Sequence, residues 1–289
     1  MAAAQRCLVA SGRQHGAAPF QRHAGRALYA AAVPLTPTVL AERILAWYAA
    51  AGRDLPWRHT RDPYQVLVSE VMLQQTQVDR VTERWVAWIA RWPTARALAA
   101  APRSEVILSW QGLGYNRRAV SLHEAARIMA NEGTPTDVAG WQRLPGVGPY
   151  TAAAVCALAL GHDVIPIDVN VERILRRTLN ADSLEAPPGR GHDLTQGLFD
   201  LGATVCLARV PRCDRCPLAD ACPSRGQRFE PQRRQARFEG SRRQARGRLL
   251  DELRHGPLDA GAFDPELAAL LIKDGLAELH RGRLRLPTT

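Results

Sequence analysis

The chain has 289 residues, 46% of them hydrophobic, and a formal net charge of +10, with Lys273 the only lysine. The apolar content is ample for a packed core, and the length allows one large or two modest domains. No apolar run reaches the roughly 18 residues that a bilayer span needs, which excludes a membrane protein of the helical kind, and the excess of arginine points to a polyanionic partner.

Residues 1–35 contain no Asp or Glu and carry Arg6, Arg13, Arg22 and Arg26 among many alanines. A transit peptide has this composition, but a disordered basic extension is the plainer reading. Order is expected to begin at Thr36-Pro37, a helix N-cap followed by proline at the first helical position. Helical periodicity then runs over 37–51 through Leu40, Ile44, Leu45 and Tyr48. Asp62-Pro63 opens a second helix reaching about Gln75, and further helices are predicted over 78–91, 102–110, 117–131, 150–160, 169–179 and 192–207. No period-2 alternation appears before residue 275, so the core reads as all-α. Residues 223–240 are polar, arginine-rich and aperiodic, and read as a linker. Beyond it, helices over 241–254 and 265–273 precede a hairpin over 276–286 turning at Arg281-Gly282. Helix, helix and hairpin make residues 241–289 a small winged-helix-like α+β module.

Two motifs carry chemistry. Leu144, Pro145, Gly146, Val147 and Gly148 form a turn that directs backbone N–H groups outward, and Pro149 starts the next helix. A helix N-terminus carries partial positive charge, so this turn can hold a phosphate without a basic side chain. An ordinary helix–helix turn would have the same composition. The second motif is Cys206, Cys213, Cys216 and Cys222, spaced C-x6-C-x2-C-x5-C. Four thiolates over so short a stretch suit a metal or an iron–sulfur cube. Zinc sites usually show two separated C-x2-C pairs or added histidines, and a disulfide framework belongs to small, cysteine-dense secreted chains. Cys156, in the apolar run 152–160, reads as an inert core residue.

Together these residues resemble a known family. LPGVGPYTAAAV is similar to the hairpin of the helix-hairpin-helix DNA glycosylases, and the cysteine spacing to the [4Fe–4S] loop of their endonuclease III branch. The runs LPWR at 55–58, DPY at 62–64, SEVMLQQTQV at 69–78 and GLGY at 112–115 resemble the MutY-like adenine glycosylases over roughly residues 37–225. The resemblance implies a helix-hairpin-helix glycosylase core over 36–205, a [4Fe–4S] loop over 206–222 and the linker and module after it. It implies a monomer working in the cytoplasm on the bacterial nucleoid, on double-stranded DNA containing mismatched adenine.

The chemistry follows from two carboxylates. Breaking an N-glycosidic bond needs a proton for the leaving base and an anion beside the developing sugar cation. Glu70 lies among Val66, Leu67, Val71 and Leu73, where an apolar setting would keep it protonated. Asp168 follows an apolar run and stands where a helix begins, as an N-cap. The resemblance makes Glu70 the acid, Asp168 the cation stabiliser, Asn170 its orienting partner, and places Tyr150 where bifunctional relatives carry a Schiff-base lysine. It makes Gln75 and Tyr115 an intercalating pair, needed because the target base must leave the stack. It also sets Trp57, Arg58 and Arg61 near the adenine pocket, and Leu144, Gly146, Val147, Gly148 and Thr151 against DNA.

The chain departs from the pattern at Val171, where glycine is common, and at Asn116, where a second tyrosine is common. The family's usual C-terminal domain, similar to the MutT hydrolases and reading 8-oxoguanine, is replaced here by a different module. A thymine, uracil or oxidised-pyrimidine glycosylase of the same fold remains the second reading, and a non-enzymatic iron–sulfur DNA-binding protein the third.

Overall fold

The computed structural model describes residues 34–228 and 237–288. Residues 1–33 of the N-terminal extension expected over 1–35, and residues 229–236 of the linker, fall outside the described residues. Helix α1 (Pro37–Ala51) starts where expected: the Thr36 hydroxyl accepts from the Val39 N–H at 3.2 Å, with proline next. The Asp62 carboxylate likewise accepts from Tyr64 and Gln65 at the head of α2 (Pro63–Leu73), a cap contributing about 1 kcal/mol. Then follow α3 (Val78–Arg91), α4 (Ala95–Ala99), α5 (Arg103–Ser109), α6 (Arg117–Glu132), α7 (Val138–Gln142), α8 (Pro149–Leu158), α9 (Val169–Thr178) and α10 (Gly191–Thr204). Only α4 and α7, five residues each, were not expected.

The helices pack around two apolar centres. Residues of α2, α3, α5, α6 and α8 surround the first, where Trp88 meets Trp92 and Trp110 edge-on at 4.7 and 5.4 Å, contacts of about 0.5–1.5 kcal/mol each beyond burial. Residues of α1, α9 and α10 surround the second, which Leu218 of the cysteine loop completes. Phe199 packs against both centres, so a seam runs between α2 and α8 on one side and α9 and α10 on the other. Within its second side, glycine lets α9 and α10 pack closely: a Cβ on Gly202 of α10 would sit 2.7 Å from the Asn170 Cβ of α9.

The C-terminal residues form α11 (Arg242–His255), α12 (Pro265–Lys273) and an antiparallel pair, β1 (Glu278–His280) with β2 (Arg283–Arg285). The predicted turn is present, with Arg281 and Gly282 at φ 50° and 77°, the left-handed pair that tight hairpins require. Leu249, Leu250, Leu253, Leu271 and Leu284 make a third apolar centre. Ile107 of α5 is part of it, so this segment is bolted to the helical core. Among the described residues no helix is long and apolar enough to cross a membrane.

Candidate active site

Glu70 is carried by α2, a helix whose other inward residues are nearly all apolar, and is only 4% exposed. Burial pushes its carboxyl up to about 7, against the opposing effect of a hydrogen bond from the Tyr150 hydroxyl at 3.0 Å. The nearby Asp168 carboxylate adds to the rise. At neutral pH a substantial fraction of Glu70 therefore holds a proton that it can deliver. Tyr150, from the first turn of α8, lies against Phe199; burial drives its hydroxyl well above the usual phenol range, so it stays a donor to Glu70.

Across the seam, Asp168 caps α9. One carboxylate oxygen accepts from the backbone N–H groups of Asn170 and Val171 at 2.8 and 2.7 Å, and the other from Asn170 Nδ2 at 2.8 Å. Both oxygens are thus fixed as acceptors, one of them by the Asn170 side chain. Asn170 is itself held: its Oδ1 accepts from Arg173 at 2.9 Å. Arg173 also donates to the carbonyls of Gly202 and Cys206 at 2.9 Å, joining the aspartate to the start of the cysteine loop. Sequence reasoning missed Arg173, for α9 shows only an arginine on a basic helix.

The hairpin turn joins α7 to α8. Gly146 has φ 78°, and a Cβ there would lie 2.7 Å from Ser121 Cβ, so conformation and space both require glycine. Gly148 faces open space at the head of α8, where an anion can approach. The neighbouring side chains of this segment turn inward. Thr151 is 2% exposed and its hydroxyl accepts from Gln74 Nε2 at 3.3 Å, so it is an interior residue. The Leu144 and Val147 side chains anchor the turn in the core, leaving only their backbone outward. The Arg58 guanidinium donates twice to Asp200, at 2.7 and 2.8 Å, and once to the Arg53 carbonyl, so it braces the fold. Arg61, exposed, donates to the Leu158 carbonyl at the end of α8. Trp57 is buried edge-on against Trp85.

Gln75 and Tyr115 both adopt left-handed backbone, at φ 58° and 47°, and both are exposed. Such conformations cost non-glycine residues about 1–2 kcal/mol unless neighbours impose them. Arg118 imposes both. It donates to the carbonyls of Val71, Met72 and Gln74 on one side and of Leu113 and Gly114 on the other, at 2.6–3.0 Å. Its guanidinium also stacks on Trp110 and Tyr115. Burial lowers it to about 10, which leaves it charged at neutral pH. Arg118→Met should therefore destabilise the protein by about 2–3 kcal/mol, since several carbonyls lose their donor. Thermal unfolding checks the stability.

Cys206, Cys213, Cys216 and Cys222 line one cavity, walled by Ile174, Leu201 and Leu218. Among the described residues no three ligand-type side chains converge as they would on a single ion. Two of these sulfurs have donors beside them: Arg177 lies 3.5 Å from Cys206 Sγ and the Gly226 N–H 3.4 Å from Cys213 Sγ. Arg177 also donates to the carbonyls of Leu207 and Ala208, fixing the loop to α9.

These features define a helix-hairpin-helix base excision fold, and comparison with known proteins agrees. Residues 68–193 match the model of the HhH-GPD superfamily of base excision DNA repair proteins. The chain is similar to a solved structure of a thermostable thymine-DNA glycosylase (TM-score 0.60, 31% identity, 65% of this chain and 95% of that one). Its fold is also that of endonuclease III in a trapped covalent complex with DNA (TM-score 0.57, 23% identity, 65% and 96% covered). Among curated proteins, the adenine DNA glycosylase of Mycolicibacterium smegmatis is 45% identical over 269 residues, covering 81% of this chain and 91% of its own. That of Mycobacterium tuberculosis is 43% identical over 243 residues, 73% and 77% covered, and the human one 39% identical over 215 residues, 65% and 39% covered. The chain belongs to the adenine DNA glycosylase family.

Proposed function

We propose that this protein is a monofunctional glycosylase that flips adenine, mispaired with 8-oxoguanine or guanine, out of duplex DNA and hydrolyses its N-glycosidic bond. The observation that carries this reading is a buried Glu70 whose carboxyl titrates near 7, bonded to Tyr150 and facing a fixed Asp168. Glu70 protonates the departing base, which makes it a neutral leaving group. Asp168 supplies the anion as positive charge grows on the sugar, and Glu70, now a carboxylate, accepts a proton from the attacking water. Tyr150 keeps its hydrogen on Glu70 and orients it. Gln75 and Tyr115 fill the gap left in the stack, while the Gly146–Gly148 turn and Arg61 meet the backbone. The protein acts as a monomer in the bacterial cytoplasm, on the nucleoid.

Cys206, Cys213, Cys216 and Cys222 would hold a [4Fe–4S] cluster, whose contribution when bound is to cross-link the loop 206–222. Through Arg173 that loop supports Asn170 and hence Asp168. Analysis of anaerobically purified protein should return about four iron and four sulfide per chain. Stoichiometric zinc would contradict the assignment. The C-terminal segment, helix–helix–hairpin, is read as a winged-helix-like module.

A second reading is excision of thymine from T:G pairs, which the likeness to a thymine-DNA glycosylase favours. A gel assay on duplexes carrying A:8-oxoguanine, A:G, T:G and U:G separates the two. Cleavage should appear with adenine substrates alone, and only after alkali, because Tyr150 is not an amine and Lys273 is the sole lysine. Efficient borohydride trapping, or cleavage at T:G and U:G in place of A, would overturn the proposal.

A further inference from the structure

Beside Gln75 and Tyr115 the surface opens into a groove of about 1180 Å³ with two unlike walls. One wall is the glycosylase core: Gln75, Arg80, Tyr115 and the hairpin turn at Gly146. The other is α11 from Arg242 and Arg243 to Arg254, with the preceding Phe238 and part of α12. The second wall is held in place. Ile107 of α5 is fully buried among the leucines of α11 and α12. Arg254 of α11, an exposed-looking charge in sequence, has a side chain only 7% exposed; it pairs with Asp251 and donates to Asn116 Oδ1 at 3.4 Å, immediately after Tyr115. Arg117 reaches Asp274 at 3.7 Å, and Asp274 also pairs with Arg246.

The charges that face the groove are unevenly matched. Asp274 and Asp251 are taken by Arg246, Arg117 and Arg254, and Arg242 has the exposed Glu266. Arg80 and Arg243 have no carboxylate partner among the described residues, and they stand on opposite walls. The Arg243 guanidinium rests 5.2 Å from the ring centroid of Phe238, which is itself 52% exposed. A stacked guanidinium keeps its N–H edge free for a planar or tetrahedral oxyanion. Arginines without carboxylate partners on both walls of an open groove suit a chain of regularly spaced anions, and a nucleic-acid backbone is such a chain.

We propose that α11 is the second wall of the DNA groove, with Arg243, across from Arg80 on the core wall, gripping backbone phosphates of the duplex beside the Gln75–Tyr115 wedge. This rests on duplex DNA being the substrate. The module then contributes affinity and orientation, since phosphate contacts position a protein without reading sequence. Because α11 is tied to Asn116 and Arg117, which follow Tyr115 directly, the grip sets the angle at which the wedge enters the stack.

The test uses the full-length protein with its cluster, an undamaged duplex, and fluorescence anisotropy across a salt series. Arg243→Glu should weaken binding several-fold and reduce the log–log salt slope by about 0.9, the value for one phosphate no longer neutralised. Arg248→Glu, an exposed position on α11 that does not line the groove, makes the same charge change for one residue and should leave the slope near that of wild type. An Arg243→Glu variant with the wild-type slope, or with the same slope as Arg248→Glu, would overturn the proposal. Because undamaged duplex is used, that failure leaves adenine excision untouched; wild-type protein that binds no duplex would overturn both readings.

Discussion

Glu70→Gln should lower the single-turnover rate of base excision by about 10²–10⁴, the range for a lost general acid, while the variant still binds mismatched duplex. Glutamine keeps the size of the side chain and can accept from Tyr150, so packing in α2 is preserved and the loss isolates the proton. Asp168→Asn should be at least as damaging. Its replacement amide cannot accept from all three N–H groups that fix the carboxylate, and it offers no anion to the sugar. The same substitution at Glu70 carries a stability signature. A carboxyl raised by burial binds its proton more tightly in the folded state, so its contribution is complete below the ordinary carboxylate range and is lost as pH rises through about 7. At pH 8, Glu70→Gln should therefore be more stable than wild type, by an amount bounded at roughly 3 kcal/mol. Chemical denaturation at pH 5 and pH 8 checks the sign.

The second large effect is structural. Asp200 is fully buried in α10 and takes hydrogen bonds from the Arg53 backbone and side chain and from both ends of the Arg58 guanidinium. Burial opposes its charge, but the bonds and charges of the two arginines outweigh it and hold the carboxyl below the usual range. Asp200→Ala removes the anion that faces Arg58, whose side chain is 7% exposed. A buried charge stripped of its partner costs about 3–5 kcal/mol, a large share of the stability of an ordinary domain. Loss of folded protein at 37 °C, or a matching fall in the denaturation midpoint, is the expected result. Adding Arg58→Met to Asp200→Ala should recover much of it, because no unpaired charge then remains.

The contrast between these sites explains what the sequence makes legible. Helix starts at Thr36-Pro37 and Asp62-Pro63 are written locally, in a capping side chain followed by a residue with fixed φ, and the helices begin there. Likewise Glu70 in an apolar helix and Asp168 before one announce their environments through their immediate neighbours. Helices α4 and α7 are five residues long, too short to show a 3.6-residue period. Arg118 and Arg173 stay hidden for another reason. Their partners lie up to 47 and 33 residues away, and in a chain with 38 basic residues an arginine carries no local mark of being structural. Arg58 shows the same ambiguity, since only the fold reveals that its guanidinium is bonded to the buried Asp200.

The most direct test of the mechanism is the pH dependence of adenine release from an A:8-oxoguanine duplex, measured in single turnover by chromatography of the freed base. The account predicts free adenine as the product, at a rate that is highest on the acidic side and falls through a single ionisation near 7 as Glu70 loses its proton. Glu70→Gln should show a low rate without that ionisation. Release by the wild-type protein that is flat from pH 5.5 to about 8.5, or a released base other than adenine, would contradict it.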